Sequence, residues 1–187
     1  AVKQTSANIT EVVCEMGKRW PGHRVGQFAL VTFDRLEGAH PFTVSSADNG
    51  SGQLSFQIKA LGDYTGKLAQ QLHSGQAVTL EGPYGRFNPE KGRKNAQQIW
   101  VAGGIGVTPF LAALENRLIH NEQTYPTVTL HYCTSTATDD PMLTRLQHLT
   151  QQLPNIALYI HDSQQGQRLT VSQLQIQASK VDIWFCG

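Results

Sequence analysis

The stretch VAGGIGVTPF, residues 101–110, constrains this chain most. Three glycines fall at Gly103, Gly104 and Gly106, and Pro109 follows. The apolar run QIWVA, residues 98–102, precedes it, and helical periodicity through Phe110, Leu111, Leu114 and Leu118 comes after. The rhythm then repeats. TVTLHY (127–132) and IALYI (156–160) read as strands around a helix at 141–152, built on Leu143, Leu146 and Leu149. A short helix at 171–177 and a last strand, VDIWF (181–185), complete the series. Such strand–helix alternation predicts a doubly wound parallel sheet.

At the first strand-to-helix turn of such a sheet, backbone N–H groups and a positive dipole end face an anion. Gly104 and Gly106 let the backbone turn and come close to a pyrophosphate. Pro109 suits an early helical position, where its missing N–H costs nothing. The pattern is G-x-G-x-x-P, not the dinucleotide fingerprint G-x-G-x-x-G. Alone it fits a phosphate-binding turn and a plain structural turn equally well.

The first half has a different rhythm. Residues 8–15, 26–33, 42–46, 54–60 and 77–81 are short β-like runs separated by turn residues such as Pro21-Gly22, Gly38 and Gly52. DNGSG, residues 48–52, reads as a hairpin loop. One helix interrupts, over 66–73, with Thr65 as N-cap and Leu68 and Leu72 on one face. This half predicts an antiparallel β-barrel or sandwich. The junction falls in the polar loop 88–96, which divides the chain into domains 1–94 and 95–187. The small basic patch Lys91, Arg93, Lys94 reads as a solvated loop.

Bulk properties exclude several classes. Net charge is +1, and charged residues make up 16%, below the roughly 25% of an average globular protein, so no nucleic-acid surface is expected. Cys14, Cys133 and Cys186 lie far apart without metal or disulfide spacing, which suits a reducing compartment and predicts no metal site. His73, His120 and His131 read as surface or satisfied side chains. No apolar run has the length of a membrane span, and no signal segment opens the chain. The chain opens in a strand region and stops just after an apolar run, which reads as a fragment of a longer protein.

Three further clusters carry possible chemistry: HPFTVSS (40–46), LGDYTGKL (61–68) and EGPYGRF (81–87). Each also has a plain reading, as a strand with a core Phe, a capped surface helix and a tight turn. In their order and spacing, together with residues 101–110 and the closing FCG (185–187), they resemble the ferredoxin-reductase-like flavoprotein superfamily over nearly the whole chain. The wording HPFT resembles in particular the ferric reductase and NADPH oxidase branch, whose dehydrogenase portion is joined to a haem-bearing membrane domain.

The resemblance implies an antiparallel FAD-binding β-barrel, its N-terminal strand incomplete, followed by an NAD(P)-binding α/β domain truncated at its C-terminus. It implies two cofactor roles, FAD and NADH or NADPH as hydride donor. His40, Pro41, Phe42 and Thr43 would face the flavin, with Phe42 packing on the ring and Thr43 hydrogen-bonding near the atom that receives hydride. His40 stands where the family has arginine beside the pyrophosphate, and Lys59 could compensate. Ile58, Lys59 and Ala60 would line FAD, and Tyr64 and Thr65 its pyrophosphate. Gly104, Gly106, Thr108 and Pro109 would cradle the nicotinamide nucleotide, whose ribose or adenine side Cys133 and Thr134 would read. Cys186 would sit near the nicotinamide. Thr43 and Cys186 are therefore the expected catalytic residues. The implied reaction passes hydride to FAD and then electrons to haem, ferric iron or another acceptor, with no general base. An electron-transfer subunit and a non-catalytic nucleotide-binding module are the alternatives. The resemblance implies a cytoplasmic location, at the face of a membrane if the full-length chain carries a transmembrane domain. Residues 133–140 contain no lysine or arginine for a 2′-phosphate, which favours NADH while leaving both donors open.

Overall fold

A computed structural model of the chain describes residues 1–17, 20–120 and 125–187. Its first half is built from two antiparallel three-stranded sheets. One sheet orders β1 (Val2–Ser6), β2 (Ile9–Glu15) and β5 (Gln53–Lys59); the other orders β4 (His40–Thr43), β3 (Phe28–Thr32) and β6 (Thr79–Tyr84). Side chains of period two explain the layering. Val12 and Cys14 of β2, Ala29 and Val31 of β3, and Leu54, Phe56 and Ile58 of β5 all turn into one core. A bridge between Val44 and Phe56 joins the two sheets. Asp48 and Asn49 close the hairpin loop, each side-chain oxygen accepting from the amide two residues on, at 3.1 and 3.0 Å.

Helix α1 (Gly62–Gln71) drops Leu68 into that core. It starts a turn earlier than the sequence reading placed it, and Thr65 is not its N-cap. Gly62 adopts φ +78°, a left-handed conformation open to glycine, and so turns the chain straight out of β5 into helix. The Thr65 hydroxyl instead accepts from the Leu61 amide at 2.7 Å and donates to the Leu61 carbonyl at 2.6 Å.

The second half is a parallel sheet ordered β10 (Val181–Cys186), β7 (Gln97–Gly103), β8 (Val128–Thr134), β9 (Ile156–Asp162). Helices α2 (Thr108–His120) and α3 (Pro141–Thr150) cover one face, packing Phe110, Leu114 and Leu146 with Trp100, Leu130 and Tyr132. After β9 the chain returns past β7, so the strand order reverses between β7 and β10. Crevices at such switch points, outside the carboxyl ends of the strands, are where open α/β sheets bind ligands. The expected helix at 171–177 shrinks to a single 3-10 turn, Val171–Leu174. Val171 is 79% exposed and Ile176 50%, so the segment buries no apolar face to extend a helix against.

Two polar assemblies orient the parts. The loop before β7 is pinned to β10: Arg93 Nη2 lies 2.6 Å from Asp182 Oδ1, and buried Gln98 donates to the Arg93 carbonyl at 3.0 Å and to Asp182 Oδ2 at 3.1 Å. Arg93 thus reaches across to β10 while its side chain stays 57% exposed, in keeping with the solvated loop read from the sequence. Across the halves, Arg145 of α3 pairs with Glu115 of α2 and donates to the Ser45 carbonyl at 3.3 Å. Glu115 in turn accepts from the Ala47 amide at 3.1 Å.

His131 is buried, with Nδ1 3.0 Å from His161 Nε2, while His73 and His120 are exposed. Among the described residues no helix is long and apolar enough to cross a membrane.

Candidate functional site

The switch point brings the glycine turn against the end of β10. Cys186 registers with Ala102, so the two carboxyl ends run side by side. At Gly106 an added Cβ would collide with the Cys186 carbonyl and lie 2.7 Å from the Gly187 Cα. The close approach made by Gly106 within the chain is thus to Cys186-Gly187. Gly104 differs. Its φ is +50°, and an added Cβ would meet only the Lys59 ammonium, at 3.9 Å. The turn leaves an open hollow there, with a cation opposite.

A cavity of about 370 Å³ opens between the halves, within the roughly 300–1,000 Å³ typical of small-molecule sites. The barrel contributes Pro41, Phe42 and Thr43 from β4, and Ile58 and Lys59 from β5. Thr65 comes from the start of α1. The α/β half contributes Gly106 from the turn after β7, Thr108 from the start of α2 and Cys186 from β10. Phe42 is held by rings at 6.0 Å (Phe33) and 6.3 Å (Phe56). Burial pushes the Cys186 thiol up, so it stays neutral near pH 7.

Lys59 and Ile105 also line a second cavity, of about 450 Å³. Its walls are the β1–β2 turn, around Asn8, and the end of β8 with the loop into α3. Gly104, Cys133 and Thr134 all face it. Asp140 organises the far wall. Its Oδ2 accepts from the Tyr132 hydroxyl at 2.6 Å and from Thr134 Oγ1 at 2.8 Å. Its Oδ1 caps α3, accepting from the amides of Met142 and Leu143 at 2.9 and 3.3 Å. Burial, then the bond to Asp140, pushes the Tyr132 phenol far above its ordinary range, so it remains a donor. Burial also raises the Cys133 thiol.

Four of the expected residues lie outside both cavities. His40 stacks on Tyr64, ring centroids 3.9 Å apart, and its Nε2 lies 3.2 Å from the Glu37 carbonyl. The Tyr64 hydroxyl is buried without a hydrogen-bond partner among the described residues, and burial raises its pKa, followed by Glu37 and Asp34. The Ala60 amide donates to the Asn8 carbonyl at 2.8 Å. Pro109 is buried as the second residue of α2. The sequence reading overlooked Leu61, 63% exposed at the cavity mouth, and the Tyr132–Asp140 pair. An Asp-Pro step ahead of helical periodicity was the available signal for Asp140.

The donor set fits a flavin dinucleotide. Phe42 and Ile58 give an apolar wall for a ring, Thr43 a hydroxyl at its edge, and Lys59 a cation for phosphate. Among the described residues no group of three or more His, Cys, Asp or Glu side chains is arranged to hold a metal ion.

Comparison with known proteins agrees. Residues 1–88 match the FAD-binding domain family. The anthranilate 1,2-dioxygenase electron transfer component of Acinetobacter baylyi is 25% identical over 173 residues, 87% of this chain and 49% of that protein. Ferric reduction oxidase 7 of Arabidopsis thaliana is 35% identical over 102 residues, 45% of this chain and 13% of that protein. A ferredoxin NADP+ reductase from Neisseria gonorrhoeae, solved with bound FAD and NADP, superposes with a TM-score of 0.76 at 17% identity, covering 98% of this chain and 81% of that one. The chain thus spans about half the length of the first relative and far less of the second. With its antiparallel barrel, its parallel sheet and the cleft between them, the chain has the fold of ferredoxin-NADP+ reductases, and its residues 1–88 match the FAD-binding domain family.

Proposed function

We propose that this chain is the reductase module of an FAD-dependent NAD(P)H oxidoreductase, with an FAD domain over 1–94 and a nucleotide domain over 95–187. One observation carries the reading: Phe42 and Thr43 of the barrel and Thr108 and Cys186 of the α/β half line the same cavity. A hydride donor held by one half would meet an acceptor held by the other. FAD, when bound, supplies the conversion of two-electron hydride chemistry into one-electron steps.

The chain's own part is binding, orientation and exclusion of charge. Phe42 packs against the ring and Pro41 flanks it. The Thr43 hydroxyl bonds the ring edge at which hydride arrives. Ile58 and Thr65 line the flavin nucleotide, with Lys59 and the first-turn amides of α1 as anion partners. Gly104, Gly106, Thr108 and Pro109 carry the nicotinamide nucleotide, and Cys133 and Thr134 its ribose side. The neutral Cys186 thiol gives the nicotinamide an uncharged wall, which suits a ring whose charge changes on oxidation. No general base is needed for this transfer.

The electron acceptor is a haem, ferric iron or another one-electron centre. In the ferric-reductase reading it lies in a membrane domain of the same full-length chain, which places this module at the cytoplasmic face. Likeness over 87% of the chain to a dioxygenase electron transfer component favours a second reading, in which the module serves a separate redox protein.

The test begins with FAD titration, followed by flavin absorbance and fluorescence quenching. Steady-state ferricyanide reduction with NADH and with NADPH comes next. Binding with turnover is expected. A protein carrying full FAD that turns over with neither donor would sink the enzyme reading and leave a nucleotide-binding module. Thr43→Val is expected to slow flavin reduction on the order of 10²-fold.

A further inference from the structure

We propose that Arg145 is a positioning residue for the cleft: it ties α2, α3 and the barrel into one latch that sets how the flavin-binding wall faces the nucleotide-binding wall. The inference rests on the reductase reading above and adds what holds its two halves in register.

The latch joins both halves through named atoms. Arg145 Nη2 pairs with Glu115 of α2 and also donates to the carbonyl of Ser45, two residues past Thr43. Glu115 gives its other oxygen, Oε2, to the Ala47 amide at 3.1 Å. Arg145 Nη1 lies 3.9 Å from Glu11 Oε1 on β2. That same oxygen accepts from Gln57 Nε2 at 2.7 Å, and Gln57 lines the cavity between the halves. The barrel wall of the cavity is therefore reached twice, through Ser45 and through Glu11 with Gln57.

Helix geometry carries the constraint to the opposite wall. Glu115 follows Thr108 by about two turns of α2, so the two share a face about 10 Å apart. Thr108 lines the cavity. Arg145 follows Met142, on the wall of the second cavity, by about one turn of α3. A shift at the latch moves both walls.

Apolar packing between the halves is non-directional and resists separation better than sliding. A guanidinium shared between groups of several elements fixes register, the best-attested use of a buried ion pair. The network is also incomplete. Gln57 is 5% exposed, and its Oε1 is buried without a partner among the described residues. Arg145 Nη1 is likewise buried and unpartnered. Both groups neighbour Glu11. A small approach of α3 to β2 brings Nη1 into bonding distance of Glu11 Oε1 and toward the free Gln57 oxygen, and so relieves a half-satisfied network. Ligands held by both halves at once supply that approach.

The experiment compares the parent chain with Arg145→Met, Arg145→Lys and Glu11→Gln. Misplacement of reacting groups by about 1 Å, from a change far from the chemistry, costs on the order of 10²-fold in rate. Arg145→Met is thus expected to slow single-turnover flavin reduction, with the faster of NADH and NADPH at saturation, on the order of 10- to 10²-fold. Dissociation constants for FAD and for ADP-ribose should stay within a few-fold of the parent. Arg145→Lys keeps the charge but loses the fork, and Glu11→Gln keeps the bond to Gln57 but loses the ion pair; each should show part of the loss. A second readout needs no turnover. Hydrogen exchange at the Ala47 amide should slow in the parent on loading with FAD and ADP-ribose, and should not respond in Arg145→Met.

An unchanged reduction rate in Arg145→Met carrying full FAD overturns the proposal. So does Ala47 exchange that ignores loading in the parent, or a rate loss that only follows weakened FAD or ADP-ribose binding. Should Arg145→Met fail to fold, Arg145→Lys and Glu11→Gln decide by the same readouts. If the parent binds neither FAD nor ADP-ribose, the reductase reading itself fails, an outcome distinct from binding of both with no response at the latch.

Discussion

The two halves of the chain hold their interiors together by different means. The barrel interior is apolar, from Val12 and Val31 through Leu54, Phe56 and Ile58, and the polar residues buried beside it, Thr10, Gln27, Ser45 and Gln57, carry no charge. The α/β half also buries ionisable side chains beside its apolar core. Gln98, Arg117, His131, His161 and Asp162 are all buried there. Arg117 shows how a buried charge is tolerated. Its guanidinium lies between the rings of Trp100 and Tyr125, at 4.9 and 4.7 Å, and Nη1 donates to the Pro126 carbonyl at 3.1 Å. Glu90, from the loop joining the halves, stands 3.9 Å away. The barrel is stabilised by pattern, which tolerates exchange of like for like. The α/β half depends on particular partners, whose loss leaves a buried group uncompensated.

The contrast can be broken most directly at Arg117. Arg117→Ala should cost about 3–5 kcal/mol by denaturant unfolding, as expected when a buried ion pair loses one member. A conservative barrel exchange, Ile58→Val, should cost about 0.5–1.5 kcal/mol. Comparable values for the two would erase the distinction. Gly106→Ala comes next, at about 1–3 kcal/mol, because an added methyl meets the backbone of Cys186-Gly187, and backbone yields little. Nucleotide affinity should fall with it, whereas Gly38→Ala, where a Cβ would meet open space, should carry only the strain of its positive φ and leave affinity intact.

Arg145→Ala tests the link between the halves. The side chain is only 24% exposed, so solvent screens its pairs in part and the expected cost is about 1–3 kcal/mol. The signature is loss of coincidence between unfolding probes in the two halves, with Trp100 reporting on the sheet. A single shared transition would show that apolar contact alone couples them.

The smallest effect is a pH slope. Burial lowers the pKa of His131, with His161 adding to it, and burial lowers that of His161. The folded state therefore binds fewer protons than the unfolded one, whose histidines titrate near about 6.5. This contribution is fully present above that value and is lost as the pH falls below it. Replacing the pair, His131→Phe with His161→Leu, should flatten the decline in melting temperature between about pH 6.5 and 5.

Much of this arrangement was legible in the residues. Strands at 9–15 and 53–59 follow from alternation, and the glycine turn followed by Phe110, Leu111 and Leu114 foretells β7, its turn and α2. What stayed hidden came from contacts distant in sequence. Thr65 looks like a cap because it precedes helical residues, yet Gly62 starts the helix first. His131 reads as an ordinary polar position in a strand; only pairing with β9 sets it against His161. Arg93 is solvated as its sequence neighbourhood suggests, yet only the fold brings Asp182 of β10 beside it.

The chain's own order of residues determined which elements form and which chemical groups are available, because period, turn residues and caps act over a few positions. Tertiary structure alone decided which of those groups meet. The reversal of strand order sets Cys186 beside the glycine turn and opposite Thr43, and docking of the halves places Lys59 at the junction of two cavities. Those juxtapositions depend on packing between segments up to a hundred and more residues apart, for which local sequence carries no energetic signal.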